Sequence, residues 1–310
     1  MPYEVHTPVL KDEIIDIFVP KGSEEEKEKC YFCDCTFGGG GHSFALLEKN
    51  PHLNIVAFDQ DLEAIENGLK KIKKENRQEK IHLIHANFSS IEEKLNQMGL
   101  SGRISGILFD LGVSSHHLND PSRGFSFLRD GPLDMRMNRD SSYLPSAKEI
   151  LEQKSEREIA DILFRYGEEK HSRLIASKIV EFRSRNDLNS TKQLENIVFH
   201  CYPRKERYRG VHPATKTFQA LRLFVNEELK ALEKTLPDAL KILKKGGLIA
   251  VISFHSLEDR IVKHFFRSLA KKGEGSLIGK KPILPTAAEI QTNKRARSAK
   301  LRVFQLKPSM

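Results

Sequence analysis

The chain has 310 residues, 39% of them apolar and 30% charged, with 51 Lys and Arg against 42 Asp and Glu, giving a formal net charge of +9. That composition excludes collagen-like and disordered classes, and no run approaches the roughly 18 apolar residues of a membrane helix. The length suits about two domains, and the cationic surplus permits a polyanionic partner. The opening residues, 1–6, lack the basic and then apolar pattern of a signal peptide. Of the four cysteines, Cys30, Cys33 and Cys35 fall on one strand-like segment, Cys33 and Cys35 on one face and Cys30 on the other; Cys201 stands apart. No second thiolate pair completes a site with Cys30 and Cys33, so buried, reduced thiols and a cytoplasmic location are expected.

In chain order, residues 3–19 turn from polar to apolar at Ile14, Ile15, Ile17 and Phe18, a helical pattern. Residues 22–29 form a charged turn. A short strand at 30–34 runs into Thr36-Phe37-Gly38-Gly39-Gly40-Gly41-His42, followed by a helix at 43–49. The near-continuous apolar run at 54–59 is what a parallel sheet requires. Helical spacing follows at Leu62, Ile65, Leu69 and Ile72. A strand at 81–86, a helix at 90–98 and a strand at 104–110 complete a βαβαβαβ run, hence a mostly parallel sheet with helices on both faces. After Asp110 the rhythm stops. Residues 111–145 have no period, and helices without strands are expected at 147–153, 156–166, 170–182 and 191–201. Residues 202–213 are basic and contain proline. Helices resume at 216–234 and 237–243, then a strand at 248–254, a helix at 257–269, a loop at 270–300 and a last strand at 301–306. The economical reading is one α/β domain, 1–133 with 213–310, interrupted by a helical insertion at 134–212.

Four consecutive glycines between strand and helix let the backbone approach a ligand and adopt positive φ. The next strand ends in Asp59, where an acidic side chain in a Rossmann-like sheet accepts from ribose hydroxyls; capping the following helix is the alternative. The glycine run does not match the nicotinamide fingerprint. A nucleoside with an amino-acid tail, such as S-adenosylmethionine, fits better, its ammonium facing Asp34 or Asp110. Asp110 ends the fourth strand, at the sheet end where ligands bind.

Further segments carry a specific resemblance: His6-Thr7-Pro8-Val9-Leu10, Gly40-Gly41-His42-Ser43, Asp110-Leu111-Gly112-Val113-Ser114-Ser115, Arg123-Gly124-Phe125-Ser126-Phe127 and Asp130-Gly131-Pro132-Leu133-Asp134-Met135-Arg136-Met137. Tyr166-Gly167-Glu168-Glu169, His212-Pro213-Ala214, Phe218-Gln219-Ala220-Leu221-Arg222, Phe254-His255-Ser256-Leu257-Glu258-Asp259 and Ser298-Ala299-Lys300-Leu301-Arg302 extend it to the far end of the chain. Together they resemble the bacterial 16S rRNA cytosine-N4 methyltransferases, the ribosomal RNA small subunit methyltransferase H family. The resemblance implies a class I S-adenosylmethionine-dependent fold, an inserted helical domain that helps bind RNA, and methylation of the N4 amine of cytosine 1402 in 16S rRNA. It implies cofactor contacts from Gly40, Gly41, His42, Asp59, Phe88 and Asp110. A further family contact to the cofactor comes from a glutamine after the double serine, and His117 stands in that place: its imidazole can donate or accept one hydrogen bond but cannot present both a carbonyl and an NH2 group. The family's usual aspartate is Asn119 here.

Methyl transfer to an aromatic amine needs alignment above all. Asp110 is the first choice for the carboxylate near the amine, with a pure cofactor contact as the alternative. Phe125 or Phe127 could stack on the base, or anchor their own loop. His255 could take the proton, hydrogen-bond the cytosine edge, or cap the next helix. No metal-ligand pattern is present. Arg204, Lys205, Arg207, Arg209 and Lys216, interleaved with Tyr202 and Tyr208, look like a phosphate-positioning surface with a stacking option. Lys294, Arg295, Arg297, Lys300 and Arg302 form a second basic run. The competing functional classes are a DNA amine methyltransferase, whose Pro-Pro-aromatic motif is missing, and a non-catalytic RNA-binding assembly factor, which would have no need of the glycine loop and Asp59. A dinucleotide oxidoreductase lacks its fingerprint. The resemblance points to 16S rRNA or the small ribosomal subunit as partner; it leaves the oligomeric state open.

Overall fold

The computed structural model describes residues 7–19, 30–141 and 143–308; the first six residues and the charged turn at 22–29 lie outside them. By contact the chain separates into a sheet unit, residues 2–112 with 229–310, and a helical unit, Val113–Glu228.

The sheet unit opens with α1 (Lys11–Phe18), then alternates β1 (Tyr31–Asp34), α2 (Gly41–Lys49), β2 (Asn54–Asp59), α3 (Leu62–Lys74), β3 (Ile81–His85), α4 (Ile91–Gln97) and β4 (Ile104–Asp110). The helical unit follows with α5 (Ser115–Asn119), α6 (Ala147–Gln153), α7 (Glu156–Gly167), α8 (Ser172–Arg183), α9 (Thr191–Cys201), α10 (Arg204–Arg207) and α11 (Ala214–Val225). Ser146, Ser155 and Ser190 start α6, α7 and α9 by capping boxes with Glu149, Glu158 and Gln193, which satisfies first-turn donors that no helix satisfies itself. Leu133, Met135, Ile150, Leu163, Ile175 and Leu194 form a core of the unit's own. Phe125 before residue 134, and Ala214, Phe218 and Val225 after residue 212, belong to the same core.

The helical pattern at 216–234 resolves into two helices. Asn226 accepts from Met137 N at 2.8 Å and donates to Met135 O at 2.8 Å, and Glu227 takes φ 49°. These long-range bonds outweigh the local helical preference. The chain then returns to the sheet unit through α12 (Glu228–Ile242), β5 (Leu243–Ser253), α13 (Ser256–Lys271), β6 (Gly275–Leu277), α14 (Ala287–Thr292) and β7 (Lys300–Leu306). Pro237 lies inside α12 and does not begin a new helix. Leu232, Leu236 and Ala239 keep one buried face across it, so packing offsets the lost hydrogen bond. The segment at 270–300, expected as loop, contains β6 and α14, both too short to show a period.

The seven strands run in the order β3-β2-β1-β4-β5-β7-β6. β1 to β5 are parallel, and β7 is antiparallel to both β5 and β6. Alternate residues feed the two faces. Cys33, Val56, Phe58, Ile107, Phe109 and Val251 face α4, α12 and α13; Phe32, Ile55, Ala57, Leu108 and Ile252 face α1 and α2. Cys33 and Cys35 are buried on the first face, 3.9 Å apart at sulfur, and Cys30 packs on the other. The strand order reverses between β1 and β4, so the switch point where α/β sheets bind ligands is flanked by Asp34 and Asp110. Among the described residues no helix is long and apolar enough to cross a membrane.

Candidate active site

Three carboxylates end β1, β2 and β4, and the glycine loop ties them together. Asp34 is fully buried; its Oδ2 accepts from Ser43 Oγ at 2.7 Å and its Oδ1 from Thr36 N at 3.1 Å. Burial pushes its carboxyl above the usual range, against the opposing pull of the Ser43 bond and nearby His42. The loop that follows depends on two glycines. Gly38 takes φ 52° and Gly40 φ 72°, and a Cβ on Gly40 would stand 2.7 Å from ring atoms of Phe37 and Phe44. This conformation aims Gly38 N at Asp59 Oδ2, 2.7 Å away.

Asp59 also accepts from Asp61 N at 2.8 Å. The helix-cap role weighed for Asp59 falls instead to Asp61, whose carboxylate accepts from Glu63 N in the first turn of α3. Burial of the Asp59 carboxyl raises its pKa to about 7, although the two backbone donors favour the ionised form. Asp110 donates its backbone N–H to Thr36 Oγ1 at 2.7 Å, and its Oδ2 lies 3.4 Å from His42 Nε2 in the first turn of α2. Both His42 ring nitrogens and Asp110 Oδ1 are buried without a hydrogen-bond partner among the described residues. Buried polar atoms are rarely left so. A ligand bringing donors and acceptors to the switch point, such as an amino-acid group joined to a nucleoside, fits this set.

The other sequence candidates fall elsewhere. Gly41 is the first residue of α2. Phe88, just after β3, is half-buried and packs edge-on against Phe109 at 5.6 Å. His255 sits at the end of β5 and caps α13: its Nδ1 accepts from Glu258 N at 3.4 Å, and its Nε2 lies 3.1 Å from Glu258 Oε1. In the helical unit, His117 is buried in a capping box with Ser114 and lies against Phe125, ring centroids 4.8 Å apart. Phe125 is a core residue, and Phe127 is stacked on His212 at 4.6 Å with its edge toward Phe218. The contacts of both rings are those of loop anchors. Arg204, Lys205 and Arg209 are exposed, as is Tyr208. Arg207 is held by Tyr202 O and His200 O and lies over the Phe199 ring. Tyr202 donates its hydroxyl to Glu169 at 2.6 Å, so its phenol is occupied.

Sequence reasoning overlooked Thr36 and the bond between Ser43 and Asp34. The hydroxyls flanking the glycines were the available signal. It also overlooked Asp259, which pairs with Arg302 at 2.6 Å and Lys300 at 3.5 Å and neutralises part of the second basic run. Asp259 is some forty residues away in sequence, so local charge counting does not find it.

This geometry, carboxylates at strand ends around a glycine loop, can be set beside known proteins. The model of the MraW methylase family matches residues 4–307. The chain belongs to that family. A ribosomal RNA small subunit methyltransferase H from Prochlorococcus marinus strain MIT 9515 is 44% identical over 305 residues, covering 97% of this chain and 96% of its own. Another from Leptospira interrogans is 44% identical and covers 97% of this chain and 89% of its own. One from Magnetococcus marinus is 43% identical, covering 97% and 98%. This MraW-family chain is a methylase built on a mostly parallel α/β sheet.

Proposed function

We propose that this MraW-family chain methylates ribosomal RNA of the small subunit, at the exocyclic N4 amine of cytosine 1402 in 16S rRNA. The names of its relatives and the motifs quoted above support the substrate. The structural observation that carries the reading is Asp110, at the switch point beside His42, with a buried carboxylate oxygen that no described residue engages.

S-adenosylmethionine supplies an activated methyl group. The chain's own residues do the rest. The backbone of Gly40 and Gly41 lets the cofactor approach closely, Asp59 accepts from its ribose hydroxyls, and His42 and Asp110 bind its polar tail. Phe88 offers an aromatic face to the adenine. His117 supplies the cofactor one hydrogen bond. Asp110 Oδ1 accepts from the cytosine amine, orients its lone pair and takes up the proton that leaves. His255 holds the turn at the end of β5 through Glu258 and acts by placing that turn. Phe125 and Phe127 shape the loop that receives the base. Arg204, Lys205 and Arg209 position phosphates, and Arg207 braces that segment.

The test is incubation with methyl-labelled S-adenosylmethionine and unmodified small subunits, followed by nucleoside analysis and fragment mapping. Label in N4-methylcytidine at position 1402 is the expected result. Label in another nucleoside, or in protein, would sink the assignment.

A further inference from the structure

We infer that the β6 edge of the sheet unit is a second nucleic-acid surface, a cationic groove that carries RNA phosphates away from the methyl-transfer site. This rests on the rRNA reading and deepens it. The groove is lined by Lys263 and Arg267 of α13, Lys280 and Lys281 after β6, and Arg302 of β7, over a floor that includes Leu277. No acidic side chain lines it. Arg302 is neutralised by Asp259, which holds it bidentately at 2.6 and 3.2 Å. The other four cations form no ion pair among the described residues. Arg267, Lys280 and Lys281 are exposed.

Such an arrangement opposes folding. Lys263 and Arg267 are four apart on one helix face, where like charges repel, and Lys280 and Lys281 bring two more to the same groove. A neighbouring polyanion turns the repulsion into attraction and releases its counterions. A chain of phosphates suits four cations spread along a groove better than one small anion does.

Topology supports the direction. β7 runs antiparallel to β5, with Lys300 opposite Ser253. β6 runs antiparallel to β7, with Leu277 opposite Phe304. The chain leaving β6 toward Lys280 and Lys281 therefore emerges at the sheet end where β1, β2 and β4 place Asp34, Asp59 and Asp110. Three strand spacings separate β4 from β6, on the order of 15 Å. An RNA strand with its target base at Asp110 can reach this groove. Contacts of this kind fix register and leave base choice to other residues.

The test uses the full chain with Lys263, Arg267, Lys280 and Lys281 all changed to Gln, and a control with Lys49, Lys70, Lys73 and Lys74 of α2 and α3 changed to Gln. Both lose four charges. Affinity for labelled 16S rRNA is measured across a salt series, beside S-adenosylmethionine titration and thermal melting. The groove variant is expected to lose at least tenfold in RNA affinity. The salt slope should shrink by about 3, at 0.7 to 0.9 per phosphate contact. Cofactor affinity should not move, and the melting temperature should hold or rise as the like-charge repulsion is relieved. An unchanged slope, or an equal loss in the control, would overturn the groove. If the fourfold variant does not fold, the loop pair Lys280→Gln and Lys281→Gln should give half the slope change, and no change there overturns the inference. Failure of the unaltered protein to bind or methylate rRNA would instead remove the functional reading, a result visible before any variant is made. Undiminished rRNA binding by the variant with lost affinity for anionic vesicles would assign the groove to a lipid surface and reject the RNA proposal.

Discussion

Burial raises the carboxyls of both Asp34 and Asp59, and Asp59 is the one that reaches about 7. With its pKa near 7 in the folded chain and near 4 when unfolded, the folded state binds more protons between those values. Stability without ligand therefore falls as pH rises from about 4 to 7. Ribose hydroxyls need the ionised carboxylate, so cofactor affinity should move the other way, weakening as pH drops through 7. Calorimetry from pH 6 to 8 should show proton release on binding. Asp59→Ala should lose roughly ten- to a hundredfold in S-adenosylmethionine affinity, the range for hydrogen bonds to a charged group, should flatten that pH dependence, and should leave RNA affinity nearly intact. An unchanged cofactor affinity would remove the ribose role. Asp110→Asn keeps the volume but not the proton acceptor. Its turnover should fall by about a hundredfold or more with RNA affinity retained, and a turnover within threefold of the parent protein would rule Asp110 out as the group receiving the amine. Of these residues, Asp59 and Asp110 were legible in the sequence because each ends an apolar strand. Their hydrogen bonds to Gly38 and Thr36 were not, since loop geometry decides them.

At the scale of elements, the turn between β5 and α13 shows how one residue serves both structure and site. His255 stands where Ser, Thr, Asp or Asn usually caps a helix, and Glu258 completes the box. His255→Ala should cost about 1 kcal/mol of stability, read from denaturant melts. His255→Asn should keep the cap and most of the stability. If it also keeps methyl transfer, the histidine works by positioning the turn; a loss beyond tenfold with the stability unchanged would give it direct contact with the base. The parallel strands were legible because burial on both faces leaves continuous apolar runs. The elements that were misread share a cause. The break between α11 and α12 is set by Asn226 bonding to residues about ninety positions earlier, and β6 exists only through its partner β7. Neither leaves a local period.

For the molecule as a whole, the charge surplus of +9 divides between two kinds of surface. The exposed cations around α10 belong to the helical unit; in the sheet unit one set lines the antiparallel edge and another, Lys70, Lys73 and Lys74, lies on α3. Reversing Arg204, Lys205, Arg207 and Arg209 to Glu should weaken rRNA binding and reduce its salt slope, with S-adenosylmethionine affinity unchanged within twofold. Parallel titrations of the two ligands check this, and an unmoved RNA slope would leave the α10 cluster a solvated surface. The product, where formed, should still be methylated on the same amine, because phosphate contacts do not choose a base.

The pairing of β4 with β5 has a consequence during synthesis. The two strands lie side by side in the sheet, yet the whole helical unit is translated between them. At 5 to 20 residues per second, β4 waits about 7 to 27 s for its partner. Throughout that interval a growing chain displays the bare apolar edge Ile104–Asp110, open to mispairing with any neighbouring strand. Yield of active protein should thus depend on how fast the intervening codons are read and on holdase chaperones at the exit tunnel, well before any property of the finished fold comes into play.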